Sequence, residues 1–191
     1  MHVADALVAL EVPGLREAGR IADLGAGAGL PGLVLAVGLP SAELVLVESA
    51  ARKCEFIARA IEELGLDNAH VVCARAEAWE EGIGTCDVVC ARALAALPVL
   101  CEYAAPLLGE GGSLVAWKGQ IDASEQADAH TAAEVLGLQP VTVLPVQPYR
   151  GSERHTLHVY RKVAPTPSGY PRRPGIATKR PLGAEIRRPR R

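Results

Sequence analysis

The eleven residues from Ala22 to Gly32, ADLGAGAGLPG, carry two overlapping glycine patterns. Gly27, Gly29 and Gly32 fit G-x-G-x-x-G, the pattern of dinucleotide sites, whereas Asp23 with Gly25, Gly27 and Gly29 reads D-x-G-x-G-x-G. RIADL, which leads into the stretch, is strand-like, and GLPGLVLAVGL, which leaves it, is helix-like as far as Pro40. Strand, glycine turn and helix place the loop at the carboxyl end of a first strand, where open α/β sheets bind ligands.

The two patterns imply different ligands. Pyrophosphate sites depend on free backbone N–H groups and on the positive end of a helix dipole. Asp23 sets a carboxylate two residues before Gly25, at the expected mouth of the loop. There it would repel a diphosphate and could hold an ammonium group. Pro31, in the expected first helical turn, has no N–H to offer. S-adenosylmethionine carries an ammonium, a carboxylate and a sulfonium but no phosphate, so the acidic loop suits it better than NAD or FAD. The glycines alone leave a dinucleotide or a purely structural turn open.

Outward from this loop, strand-like and helix-like segments alternate. AELVLVE is a second strand, and SAARKCEFIARAIEELGL an amphipathic helix stopped by Gly65. AHVVCA, CDVVCA and GSLVAWKG are further strands, the last entered through GEGG. ALPVLCEYAAPLL and the Ala-rich stretch 122–136 are helices, and QPVTVLPV with RHTLHVYRKV reads as an antiparallel hairpin. This alternation implies a mostly parallel sheet covered on both faces and made mixed by the hairpin. The expected division is one domain over residues 1–163 and a Pro/Arg-rich tail over 164–191, extended until bound. HVADALVALE, at the start, reads as a short helix without an obvious partner, which hints at a missing N-terminal portion.

Composition narrows the class. No segment approaches the roughly 20 apolar residues of a membrane helix, and the N-terminus lacks the layout of a secretory signal, so a cytoplasmic protein is expected. The five cysteines are odd in number and include no C-x-x-C pair, which argues against a disulfide framework or a zinc site and favours buried, idle thiols. No metal is expected. Residues 1–149 hold 8 Lys/Arg against 20 Asp/Glu, and residues 150–191 hold 12 against 2. An acidic domain with a basic end points to nucleic acid, or else to a solvated tail lying on the protein's own acidic face.

Candidate site residues stand at the strand ends. Glu48 ends the second strand and can accept hydrogen bonds from both ribose hydroxyls of an adenosine. Glu77 follows the third strand, where the adenine would lie. Arg92 follows the fourth and Lys118 the fifth; both are candidates to pin a phosphate or a base. Arg150, Arg154, Arg172, Arg173, Lys179 and Arg180 form the basic end and would contact phosphates, contributing affinity more than sequence choice. For Arg92, Lys118 and the basic end, a plain surface role is the competing reading.

DLGAGAGLPG, LVESAARKCEFI, ARAEAW, CDVVCARALAAL, LVAWKG and YPRRPGIATKRPLG occur in order between about His2 and Gly183. In these stretches the chain resembles the bacterial 16S ribosomal RNA guanine-N7 methyltransferases, also called glucose-inhibited division protein B. The resemblance implies a Rossmann-like class I methyltransferase fold, a seven-stranded sheet with a C-terminal antiparallel hairpin. It also implies S-adenosylmethionine as cofactor and 16S ribosomal RNA or the small subunit as partner, with the protein acting as a monomer. By the same resemblance Gly25 and Leu30 lie in the methyl-donor loop, Ala76 and Glu77 flank the adenine, and Arg92 contacts cofactor or target. Relatives usually carry a longer N-terminal helical segment, and the ending AEIRRPRR is an extra basic tail. Guanine N7 has an in-plane lone pair and no proton to lose, so no general base is expected. A related methyltransferase acting on another nucleic acid or a small molecule, and an inactive cofactor-binding RNA adaptor, remain as alternatives.

Overall fold

The computed structural model describes residues 2–183. Strands β1 (Arg20–Leu24), β2 (Glu43–Glu48), β3 (Ala69–Cys73), β4 (Cys86–Arg92), β5 (Leu108–Lys118), β6 (Leu138–Val146) and β7 (His155–Lys162) form one sheet in the order β3-β2-β1-β4-β5-β7-β6. The first five run parallel, and β7 lies antiparallel between β5 and β6. The mixed sheet expected from the alternating segments and terminal hairpin is therefore present. GEGG falls within β5, opposite a register irregularity between Cys86 and Val88.

The central strands are apolar at most positions because both sheet faces are covered, and their charged residues stand mainly near the strand ends. Ile21, Leu44, Leu46, Val88, Cys90 and Val115 point to one core, which α2 (Gly32–Gly38) and α3 (Ala51–Leu64) cover; α1 (His2–Leu7) packs on α2. Ala22, Leu24, Val45, Val47, Val89, Ala91 and Leu114 point to the other, under α4 (Leu97–Ala104), α5 (Ala123–Leu136) and α6 (Ile176–Lys179). The period-two alternation of a strand sorts these residues between the faces. With few aromatics available, Ala129, Ala132 and Ala133 bring α5 close to its neighbours. Asp122 caps α5, its carboxylate accepting from the Glu125 amide at 2.7 Å, and Gly137 ends that helix at φ +74°.

Residues 164–183 do not stay extended. Tyr170, Ala177 and Leu182 pack against the α4–α5 core, and the buried Glu102 of α4 accepts two hydrogen bonds from the Arg172 guanidinium, at 2.8 and 2.5 Å. The Arg172 amide also donates to Glu102, at 3.3 Å, and the Tyr103 and Thr178 hydroxyls lie 3.1 Å apart. Apolar anchors between the basic residues tie the segment down, which a reading of charge and proline content overlooks. Upstream of it, the buried Lys162 ammonium donates to the carbonyls of Ala105 and Leu136, at the C-terminal ends of α4 and α5. Burial pushes that amine down to about 8. Of the cysteines, Cys54, Cys86, Cys90 and Cys101 are buried, but Cys73 at the end of edge strand β3 is exposed. AEIRRPRR lies outside the described residues.

Candidate active site

The glycine loop joins β1 to α2 at the carboxyl edge of the sheet. Gly25, Gly27 and Gly29 all have positive φ, at 66°, 61° and 84°, a region that favours glycine. The loop turns its amides inward. Gly25 and Ala26 donate to the Val47 carbonyl, Gly27 to the Glu48 carboxylate, Gly29 and Leu30 to the Ala26 carbonyl, and Gly32 to the Asp23 carboxylate. A phosphate cradle needs such amides free. Here they are engaged within the protein, two of them on carboxylates.

Asp23 is buried beneath the loop, not at its mouth, because the β1 pleat turns its side chain toward Gly32. Its Oδ2 accepts from the Gly32 amide at 2.8 Å, while Oδ1 is buried without a hydrogen-bond partner. Burial pushes the carboxyl up to about 7, against the pull of the Gly32 amide and the Arg92 charge. Glu48 is also buried and accepts from the amides of Gly27, Ser49 and Ala50 at 3.0, 2.8 and 2.9 Å. Burial raises its pKa, but the Ala50 and Gly27 amides, the Lys53 charge and the Ser49 amide together hold it below the ordinary value. Glu48 thus ties the loop to the start of α3.

Two clefts open at this edge. One, of about 240 Å³, is lined by Gly25, Glu48, Ala76, Glu77, Leu94 and Tyr103 among others. It brings together four of the expected cofactor residues; Gly27 borders it through its bond to Glu48, and Leu30 stands outside its lining. A Cβ on Gly25 would stand 2.5 Å from Leu94 Cδ1 in a left-handed backbone at φ +66°, so a side chain there would strain the loop and push Leu94 aside. The Glu77 carboxylate accepts from the Gly175 amide at 3.0 Å, which joins the C-terminal segment to this cleft.

The second cleft, of about 410 Å³, is lined by Asp5, Arg92, Trp117, Lys118, Tyr149 and His155 among others. Ala93 lines both clefts and adopts φ +53°, a strained conformation for a residue with a Cβ. Both expected positioning residues, Arg92 and Lys118, are therefore in this cleft, and both are paired. Arg92 Nη1 donates to Asp5 Oδ2 at 2.7 Å. Lys118 Nζ lies 2.7 Å from Glu125 Oε1 and donates to the Ala95 carbonyl at 3.2 Å. Arg150, Arg154, Arg173, Lys179 and Arg180 are exposed. Arg172, also expected among the phosphate contacts, is only partly exposed and is paired with the buried Glu102 carboxylate. Asp5, Tyr149 and His155 were not anticipated. An acid set in the otherwise apolar ADALVAL was the one available signal for Asp5.

The donor set fits an adenosine ligand without phosphates that bears positive charge. It offers an unpartnered buried carboxylate oxygen on Asp23, a carboxylate at the end of β2, a side-chain-free wall at Gly25, and no ring of open amides. This sheet order, its antiparallel β7 and the glycine loop at the carboxyl edge define a Rossmann-like class I methyltransferase. Solved structures agree on the fold: a geranyl diphosphate methyltransferase superposes with TM-score 0.66 at 18% identity, over 84% of this chain and 77% of that one. The antibiotic-resistance methyltransferase Kmr gives TM-score 0.65 at 20% identity, over 82% of this chain and 92% of that one. At the family level, the model for rRNA small subunit methyltransferase G (GidB) matches residues 1–156. The chain belongs to that family. The ribosomal RNA small subunit methyltransferase G of Rubrobacter xylanophilus is 46% identical over 187 residues, covering 95% of this chain and 72% of the relative. That of Pelotomaculum thermopropionicum is 40% identical over 188 residues, covering 95% of this chain and 77% of the relative.

Proposed function

We propose that this chain transfers the methyl group of S-adenosylmethionine to N7 of a guanine in 16S ribosomal RNA, acting as a monomer on the small subunit in the cytoplasm. The observation that carries the cofactor choice is the inward-turned glycine loop, whose Gly25, Ala26, Gly27, Gly29, Leu30 and Gly32 amides are all engaged within the protein. When bound, the cofactor supplies an electrophilic methyl on a sulfonium leaving group. Glu48, at the end of β2, faces the ribose, while Ala76 and Glu77 border the adenine. Asp23 lies below the loop as a carboxylate able to answer positive charge. Family membership supports the ribosomal RNA target.

The chain's part in the chemistry is placement. Guanine N7 has no proton to surrender, so Asp5 in the cleft, and Glu125 behind Lys118, are left to hold cations and not to act as bases. Ala93 is the narrow backbone divide between the two clefts, across which N7 must come within about 3 to 3.5 Å of the methyl carbon. Arg92 and Lys118 orient the base or its phosphate. The exposed Arg150, Arg154, Arg173, Lys179 and Arg180 hold the RNA backbone. A target base in a loop, or one turned out of its stack, can enter such a cleft.

The test is calorimetry with S-adenosylmethionine and with NAD, followed by methyl transfer onto small subunits from a strain lacking the mark. Binding of the methyl donor and transfer to one guanine are expected. Binding of NAD alone would overturn the cofactor reading, and tight donor binding without transfer would overturn the enzymatic one.

A further inference from the structure

We infer that Asp5 is a positioning residue for the transfer: from α1 it aims the Arg92 guanidinium along the wall of the larger cleft and cancels its charge. The inference rests on the proposed reaction. The carboxylate bridges two elements, taking Arg92 Nη1 on Oδ2 at 2.7 Å and lying 3.1 Å from His155 Nδ1 through Oδ1. Its own backbone is fixed too, since the Trp117 indole donates to the Asp5 carbonyl at 2.8 Å. Asp5 is 6% exposed, so its geometry is set by packing. The Tyr149 ring meets His155 edge-on at 5.7 Å and extends the same wall.

Charge gives the arrangement its purpose. In the transfer, the N7 lone pair forms the new N–C bond, the C–S electron pair stays on sulfur, and the positive charge passes to the guanine; no proton moves. A bare guanidinium beside that guanine would oppose the arriving charge at short range. Each cation of the cleft instead has its own carboxylate, Asp5 for Arg92 and Glu125 for Lys118. Arg92 has five N–H donors in a planar fork, so one can be held by Asp5 while others address the base. A group that acts only through Arg92 must lose its effect once Arg92 is gone.

The test compares wild type, Asp5→Asn, Arg92→Ala and the double variant in single-turnover methyl transfer to small subunits, with donor affinity and melting temperature measured alongside. Asp5→Asn is expected to transfer about 10-fold or more slowly, the scale of one charge-assisted hydrogen bond, with donor affinity within about twofold of wild type. The double variant should be no slower than Arg92→Ala alone. Additive losses, or a wild-type rate for Asp5→Asn, would overturn the inference. A second readout needs no RNA. In protein labelled with 15N-arginine, the Arg92 guanidinium should show hindered rotation in wild type and free rotation in Asp5→Asn. Equal behaviour in the two would overturn the inference even if the wild type transferred no methyl, an outcome that bears only on the proposed function.

Discussion

Replacing Arg172 with alanine removes the cation that answers Glu102, a carboxylate only 1% exposed on α4. Two side-chain hydrogen bonds, at 2.8 and 2.5 Å, disappear together, and no water reaches the carboxylate freely to replace them. Breaking a buried pair from one side costs about 3–5 kcal/mol, chiefly because a charge is left desolvated. In a chain of this length each kcal/mol moves the melting temperature by about 2–4 °C, so Arg172→Ala should melt roughly 6–20 °C below wild type. The same reasoning makes the Glu102→Met/Arg172→Met pair far less damaging, since it removes both charges and fills the space. The assay is thermal unfolding followed by circular dichroism. RNA affinity is measured below the transition, where Arg172→Ala should bind nearly as well as wild type and Arg173→Ala less well. An Arg172→Ala variant that melts within about 2 °C of wild type but loses RNA binding would refute the structural assignment and return Arg172 to the phosphate contacts.

Gly25→Ala forces a Cβ into the left-handed region and 2.5 Å from Leu94 Cδ1; calorimetry should show donor affinity reduced at least about 10-fold, while stability falls by only about 1–2 kcal/mol. Asp23 has its carboxyl raised to about 7 from 3.8. The folded state therefore holds this proton more tightly than the unfolded chain, and its contribution to stability is full below about pH 4 and is lost as the pH climbs through about 7. Denaturant titrations of the ligand-free protein should show this decline, and Asp23→Asn should flatten it. Neutralising Arg173, Lys179 and Arg180 together should weaken RNA binding for all sequences alike and make its dependence on salt shallower, as read from affinities at several ionic strengths.

The sheet was legible because its signals are local. Runs such as LVLV within β2 and VVCA within β4 are apolar throughout, as strands buried on both faces must be, and Gly65 marks the end of α3. Residues at strand ends were legible for the same reason, since the topology alone delivers Glu48, Glu77, Arg92 and Lys118 to one edge. What escaped was decided by pairings distant in sequence. Asp5 meets Arg92 and His155 across 87 and 150 positions, and Arg172 meets Glu102 across 70. Asp23 stands at the expected strand end but beneath the loop, because its orientation follows from a hydrogen bond to Gly32 that spacing does not reveal. In the C-terminal segment the prolines and basic residues stand out in the sequence, while Tyr170, Ala177 and Leu182 determine the packing.

In the proposed reaction the two clefts flanking Ala93 bring a methyl donor and one ribosomal guanine together. The reaction is tested most directly by mapping N7-methylguanine along 16S ribosomal RNA, by chemical cleavage and primer extension, from cells with and without this protein. One guanine is expected whose mark disappears without the protein and returns with the wild-type chain but not with Arg92→Ala. An unchanged methylation map, or full restoration by Arg92→Ala, would contradict the proposed reaction.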